Sequence, residues 1–285
     1  MLADIRKLAG DAAARHVGLG AFNVVLLEHG EAQVAAAESC GLPVILQLSQ
    51  NAVKYHHGRL RPIGSAVLRL AEEARVPVVA HLDHAEDIDL CKAAVDLGFT
   101  SIMYDGSKLA DAENRRSTAE ITQWCHDRGV SVEAELGEVG GKNGVHDPSA
   151  RTNPDDAAHF VTDTGVDLLA VAVGSSHAMT SRDAALDNNL IARIAAAVPV
   201  PLVLHGSSGV SDAGMRAAIR AGMTKINVST HLNVVYTEMV RRDLAAGPEL
   251  VDPRKYSRGG NAAVQAEVER LLRMYSTPVA AAVDS

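Results

Sequence analysis

Short apolar segments rich in Val, Ile, Leu and Ala alternate with helix-length amphipathic segments along the chain, and glycine closes several of the helical segments before the next apolar run. That alternation predicts an α/β fold, a (β/α)8 TIM barrel with an extra C-terminal helical extension, over a single domain spanning 1–285. A third observation points the same way. Three apolar runs each deliver a histidine at the exit end: Val78–Leu82 runs into Asp83-His84, Val171-Ala172-Val173 into Gly174-Ser175-Ser176-His177, and Leu202-Val203-Leu204 into His205. In a barrel of parallel strands the exit ends surround one mouth, where chemistry sits.

The elements follow in order. Ala21–Val25 is the first expected strand and Glu31–Ser39 its helical segment. Val44–Leu48 and Pro62–Ala74 form the second unit. Val78–Leu82, a β-branched run after Pro77, reads as a buried parallel strand, followed by Ile88–Leu97. The next pairs are Ser101–Tyr104 with Asp111–Arg128, Val130–Leu136 with Pro154–Thr164, and Leu168–Val173 with Asn188–Ala197. Pro201–Leu204 with Asp212–Ala221, and Lys225–Val228 with a helix beyond Ser229-Thr230, complete the set. Asp252–Tyr275 reads as the extra turn and helix. Gly98, Gly129, Gly165 and Gly222 fall where helix C-caps are needed. An open doubly wound sheet is the weaker reading, because no GxGxxG follows an early strand.

Composition narrows the function. At 285 residues and 47 % hydrophobic, the chain can bury one sizeable core, and 3 % aromatics make that core aliphatic. A net charge of −8 offers no basic field, so neither nucleic acid nor an anionic membrane is expected as partner. Cys40, Cys91 and Cys125 are odd in number, lack a CxxC and sit in helical segments, as reduced core thiols would. Met1–Lys7 is an amphipathic start without an apolar signal core, and no apolar run of about 18 residues could span a bilayer. The expectation is a soluble cytoplasmic protein.

The histidines suggest a metal. Three imidazoles at one mouth form a metal-site geometry with positions left open for substrate. On a regular third strand, His81 and Asp83 share one face while Leu82 and His84 share the other. His81 and His84 are therefore not both expected as ligands, and His84 should turn into the mouth where the pleat ends. Asp83 is an acid/base candidate, or else the cap of the Glu86–Leu97 helix. Glu133 and Glu135 both face inward, where carboxylates are costly unless they meet a cation or donors; one backing a ligating histidine is the natural use. Gly137–Gly144 reads as a mobile lid. Gly206-Ser207-Ser208-Gly209 and Ser229-Thr230, after the last two strands, make a phosphate cradle. Metal, phosphate and carboxylate together point to enolate chemistry.

At these residues the chain resembles the class II, metal-dependent ketose-bisphosphate aldolases of the fructose- and tagatose-bisphosphate group. The resemblance runs through Gly20-Ala21-Phe22-Asn23-Val24, His81–His84, Ser101–Ser107, Val132–Gly137, Gly174–His177, Leu204–Gly209, Lys225–Val228 and Asp252–Tyr256. It implies Zn2+ or a similar divalent ion on His84, His177 and His205. Asp83 and Glu135 become the catalytic carboxylates, with Asp83 exchanging the hydroxyl proton at the cleaved bond. Asn23, Gly206, Ser208, Asn227, Ser229 and Thr230 would hold dihydroxyacetone phosphate, with a monovalent cation (Na+ or K+) nearby. The implied partner is a phosphorylated sugar, and the implied assembly a homodimer or homotetramer. Three positions depart from the family pattern. Asn143 stands where a lid glutamate is usual, with Glu138, His146 or Asp147 as substitutes. Ala178 replaces a glycine after the second histidine, and Asn261 replaces a basic residue for a distal phosphate, with Arg258 near it.

Other readings are a barrel hydrolase, disfavoured because no HxH pair lies on one strand face; a Schiff-base aldolase using Lys225; and a phosphosugar-binding barrel without turnover. His16, His29, His56, His57, His126, His146, His159 and His231 are assigned to the surface or helix caps, and Trp124 and Tyr275 to packing.

Overall fold

Eight parallel strands close on themselves in sequence order, the last pairing back with the first. They are β1 (Leu19–Asn23), β2 (Val44–Ser49), β3 (Val78–Ala85), β4 (Ser101–Tyr104), β5 (Ser131–Glu135), β6 (Leu168–Ala170), β7 (Leu202–Leu204) and β8 (Met223–Val228). The computed structural model describes residues 1–136, 151–175, 182 and 184–278. Around the barrel lie α2 (Leu27–Cys40), α4 (Leu60–Glu73), α5 (Ile88–Leu97), α6 (Asp111–His126), α7 (Pro154–Thr164), α8 (Asn188–Ala197), α9 (Asp212–Ala221) and α10 (Thr230–Ala246), with a short α3 (Gln50–Tyr55) after β2. Two further helices, α1 (Ile5–Ala14) and α11 (Pro253–Ser276), stand outside the eight-fold repeat.

The period of two divides each strand. Phe22, Leu46, Leu48, Ala80, Leu82, Ile102, Val132, Ala134, Leu204 and Ile226 join the large cluster packed beneath the helices. The alternate set faces the axis and changes character along it. At the entry end it is apolar, with Leu19, Ala21, Ile45, Val79, Leu168 and Val203 packed against Ile5, Ala9 and Ala12 of α1. Helix α1, capped by Asp4, thus stoppers the bottom of the barrel. Toward the exit end the same faces carry Asn23, Gln47, His81, Asp83, Glu133, Glu135, Lys225 and Asn227. The period-two pattern therefore supplies both a dry floor and a polar mouth.

Boundaries shift where side chains take over backbone bonds. Strand β6 stops at Ala170 rather than Val173, because the Ala172 N–H donates to Thr152 Oγ1 at 2.9 Å and its carbonyl accepts from Thr152 N at 2.9 Å. Those bonds tie the chain to the entry of α7 instead of extending the ladder. Helix α11 lays Val264, Val268, Leu271, Leu272 and Tyr275, a 3.6-period stripe, into the core. It packs on α2 and α10, and its Tyr275 carbonyl accepts from Gly18 N at 2.9 Å. Cys91 and Cys125 are buried and all three cysteines are free thiols. No described helix is long and apolar enough to cross a membrane.

Candidate active site

Strand β3 does not end before His84; it bulges. Its register with β4 shifts between Leu82 and Ala85, and His84 adopts φ +47°. A regular pleat would send His84 to the Leu82 side, under the helices, whereas a bulge re-aims the side chain. The left-handed backbone costs a non-glycine residue roughly 1–2 kcal/mol, a strain of the kind that gathers at functional sites. The sequence had His84 turning where the pleat stops. The strand in fact runs on to Ala85, and the local bulge does the turning.

Asp105, just past β4, fixes the result. Its Oδ2 lies 2.9 Å from His84 Nδ1, while Oδ1 accepts from Ser107 Oγ at 2.6 Å and Ser107 N at 3.2 Å. Burial would raise the Asp105 carboxyl, but these bonds and the His84 charge override it and hold it well below the usual carboxylate range. In the sequence Asp105 belongs to the Ser101–Ser107 motif, which by itself assigns it no role. The signal was pairing across adjacent strands, which no local spacing displays.

Asp83 is buried and gripped on both oxygens, Oδ2 by Asn23 Nδ2 at 3.2 Å and Oδ1 by Asn227 Nδ2 at 3.4 Å. Burial pushes its carboxyl up, but the charges of His84, Lys225 and His205 outweigh this and lower it, so it is anionic. It does not cap the following helix: that is Asp87, accepting from Asp89 N at 2.9 Å.

On the far side, Glu133 and Glu135 both point inward as their spacing required. Glu133 Oε1 is 3.1 Å from His205 Nε2, and Glu135 Oε2 is 3.6 Å from His205 Nδ1. Burial alone would depress the His205 imidazole, but the two carboxylates beside it, Glu133 and Glu135, raise it to about 10. Lys225, with no exposed surface, sits 2.8 Å from Glu133 Oε2 and donates to Asn227 Oδ1 at 2.8 Å. Its nitrogen is committed to two buried partners, which counts against the Schiff-base reading. His81 stays in the interior with Ser101 Oγ at 2.8 Å, pulled down to about 3 by burial and the Lys225 charge, and so neutral.

The ends of β7 and β8 form the third wall. Gly206 takes φ +68°, a conformation that favours glycine, and starts a 3-10 turn over Ser207–Gly209. The Ser207 hydroxyl donates to the Asn227 carbonyl, and Ser208 Oγ accepts from His231 N at 3.1 Å in the first turn of α10. His231 Nε2 lies 2.6 Å from Glu267 of α11. The sequence assigns His231 to the surface or a helix cap; in the structure it links Ser208 to Glu267. His29 likewise is buried, edge-on to Tyr236 with ring centroids 5.0 Å apart.

A pocket of about 410 Å³ joins these walls, lined by Asn23, Asp83, His84, Asp105, Gly206, Ser208, Asn227, Ser229 and Thr230, with Ser49, Gln50, Asn51, Glu86 and Lys108 toward β2–β4. Asn261 and Arg258 line a separate depression between α2 and α11, beside Glu28 and Glu31. Residues Asn143, Glu138, His146, Asp147, His177 and Ala178 lie outside the described residues.

The donor set fits a divalent cation. Ligand atoms of Asp83, His84 and His205 lie within 4.8 Å of one another, as do those of His84, Asp105 and Glu135. The two imidazoles meet edge to face at 4.5 Å. Each is held from behind by a carboxylate, the arrangement that orients metal-binding histidines. The ring nitrogens opposite those hydrogen bonds, Nε2 of His84 and Nδ1 of His205, are the ones that could bind a cation. Among the described residues, buried Glu135 Oε2 has no hydrogen-bond partner.

Fold and mouth together define a (β/α)8 barrel whose exit end gathers a possible cation site. The family model for class II fructose-bisphosphate aldolase matches residues 3–278, and the chain belongs to that family. It is 37 % identical over 280 residues to the fructose-bisphosphate aldolase of Geobacillus stearothermophilus, covering 97 % of both chains. It is also 37 % identical over 271 residues to the 6-phospho-5-dehydro-2-deoxy-D-gluconate aldolase of Shouchella clausii, covering 94 % of this chain and 92 % of that one. Among solved structures, the YdjI aldolase from Escherichia coli superposes with a TM-score of 0.84 at 32 % identity, covering 98 % of both chains. The protein is thus a metal-dependent aldehyde-lyase of carbohydrate metabolism, and the family reaction cleaves a phosphorylated ketose into dihydroxyacetone phosphate and an aldehyde.

Proposed function

We propose that this chain cleaves a ketose 1-phosphate or 1,6-bisphosphate with Zn2+ held by His84, His205 and His177. The observation that carries the reading is the pair of facing imidazoles, His84 backed by Asp105 and His205 by Glu133. When bound, the metal supplies Lewis-acid polarisation of the ketose carbonyl. Asp83, anionic and held on both oxygens, accepts the hydroxyl proton as the adjacent carbon–carbon bond breaks and the aldehyde leaves. The electron pair stays on the carbon beside the carbonyl until that carbon is protonated. Glu135 lies within reach of the same centre as the second catalytic carboxylate. Asn23, Gly206, Ser208, Asn227, Ser229 and Thr230 take the dihydroxyacetone phosphate half, with Na+ or K+ beside the phosphate.

The aldehyde half faces β2–β4. Among the described residues lining the pocket, Lys108 is the one lysine or arginine, 2.6 Å from Glu86. We assign it to an anionic far end of the substrate. The names of the two curated relatives, a bisphosphate and a phosphorylated sugar acid, both imply such an end. We further read the chain as one barrel unit over 1–285, cytoplasmic, working as a homodimer or homotetramer; size-exclusion light scattering decides the assembly.

The test is exchange of the dihydroxyacetone phosphate C3 proton in D2O, followed by NMR with and without EDTA. Exchange abolished by EDTA and restored by zinc supports the reading, and exchange that survives complete metal removal contradicts it. No exchange, with metal and ligand bound, would make the asparagine at 143 decisive and favour a binding role.

A further inference from the structure

Among the described residues Lys225 is the one fully buried lysine, and the proposed chemistry does not use it directly. It lies two residues before Asn227 on β8, so both side chains face the axis. Its ammonium bridges two groups that belong to different halves of the site. Glu133 Oε2, at 2.8 Å, is the carboxylate whose other oxygen holds His205 Nε2 at 3.1 Å. Asn227 Oδ1, also at 2.8 Å, belongs to the amide whose Nδ2 donates to Asp83 Oδ1 at 3.4 Å.

We propose that Lys225 is a positioning residue that couples the metal-facing imidazole of His205 to the proton-accepting carboxylate of Asp83. The proposal rests on the functional reading above. Neutralising Glu133 would need only one contact; the second has a distinct consequence. An amide presents an acceptor on one side and donors on the other. With the ammonium on its oxygen, the Asn227 amide can only offer its N–H to Asp83. Without it, the amide is free to flip, and a carbonyl oxygen would face a carboxylate. One cation therefore sets the orientation of Asp83, and through Glu133 the ring plane and tautomer of His205.

The test uses the full chain with Lys225→Met, Glu133→Gln and the Lys225→Met/Glu133→Gln double variant. Zinc affinity is measured by competition with a chromogenic chelator, cleavage as kcat and KM, and folding by circular dichroism. Lys225→Met should weaken zinc about tenfold, as loss of a residue that orients a ligand does. It should lower kcat about a hundredfold, the scale of a small misplacement of a reacting group, with KM nearly unchanged. A folded Lys225→Met with wild-type zinc affinity and kcat overturns the proposal. If that variant does not fold, the double variant, which buries no lone charge, is compared with Glu133→Gln. A further tenfold loss in kcat supports the role at Asn227, and equal kcat overturns it. Wild-type protein that turns over no ketose phosphate would sink the functional reading alone, and the zinc measurement would still judge the coupling to His205.

Discussion

His84 keeps its backbone at φ +47° although it carries a full side chain, and the gain that offsets this strain is its bond to Asp105. Asp105→Asn keeps the shape but removes the charge that orients the ring. Zinc retention should fall about tenfold, with a little-changed melting temperature for the metal-free protein, as read by chelator competition and calorimetry. Lys108 makes a different kind of prediction. Its pair with Glu86 is solvent-exposed and contributes little stability. Lys108→Met should therefore leave folding and dihydroxyacetone phosphate exchange unchanged while raising KM about tenfold for substrates with an anionic far end. An unchanged KM for those substrates would remove Lys108 from the substrate site. At this scale the sequence was a partial guide. Asp83, His84 and His205 stand at strand exits, where an ordered run of hydrophobic residues announces them. Asp105, Lys225 and His231 each also pair with a residue on another strand or helix, which their own neighbourhoods do not show.

Among the elements, α10, the last helix of the eight-fold repeat, and α11 beyond it brace the proposed phosphate cradle. Ser208 meets the first turn of α10, His231 of that turn meets Glu267 of α11, and Arg270 joins Glu267 at 2.8 Å to Asp212 of α9 at 2.5 Å. Burial would raise the Glu267 carboxyl, but its bonds to Arg270 and His231 override that and lower it from 4.5 to about 2. The native state therefore binds this proton less readily than the unfolded chain does. Its contribution is complete above pH 4.5 and is lost as the pH falls toward 2. Glu267→Gln should flatten acid unfolding in that window while leaving behaviour above pH 5 parallel to wild type; identical acid profiles would contradict the assignment. The strands were legible as elements because parallel strands covered on both faces read as unbroken apolar runs. Their ends were less so. Ala172 left the ladder for Thr152, a partner 20 residues away that hydrophobic patterning does not register.

For the molecule as a whole, the barrel axis runs from a dry floor sealed by α1 to a mouth crowded with Asp83, Asp105, Glu133 and Glu135. Lys225 and the imidazoles offset part of that negative charge, and a divalent cation would offset more. A ligand that binds only the folded state stabilises it by mass action. Stripping the metal with EDTA should thus lower the melting temperature by roughly 5–10 °C, restored by zinc. A melting temperature indifferent to chelation would argue against any metal at the mouth.

The central claim, a metal held between His84 and His205 at the barrel mouth, is tested most directly by anomalous diffraction at the zinc edge from crystals grown with zinc. The account predicts a single strong peak about 2.0–2.1 Å from His84 Nε2 and His205 Nδ1, with His177 as third ligand. A peak elsewhere, or a fully zinc-loaded protein with no peak between those two imidazoles, would contradict it.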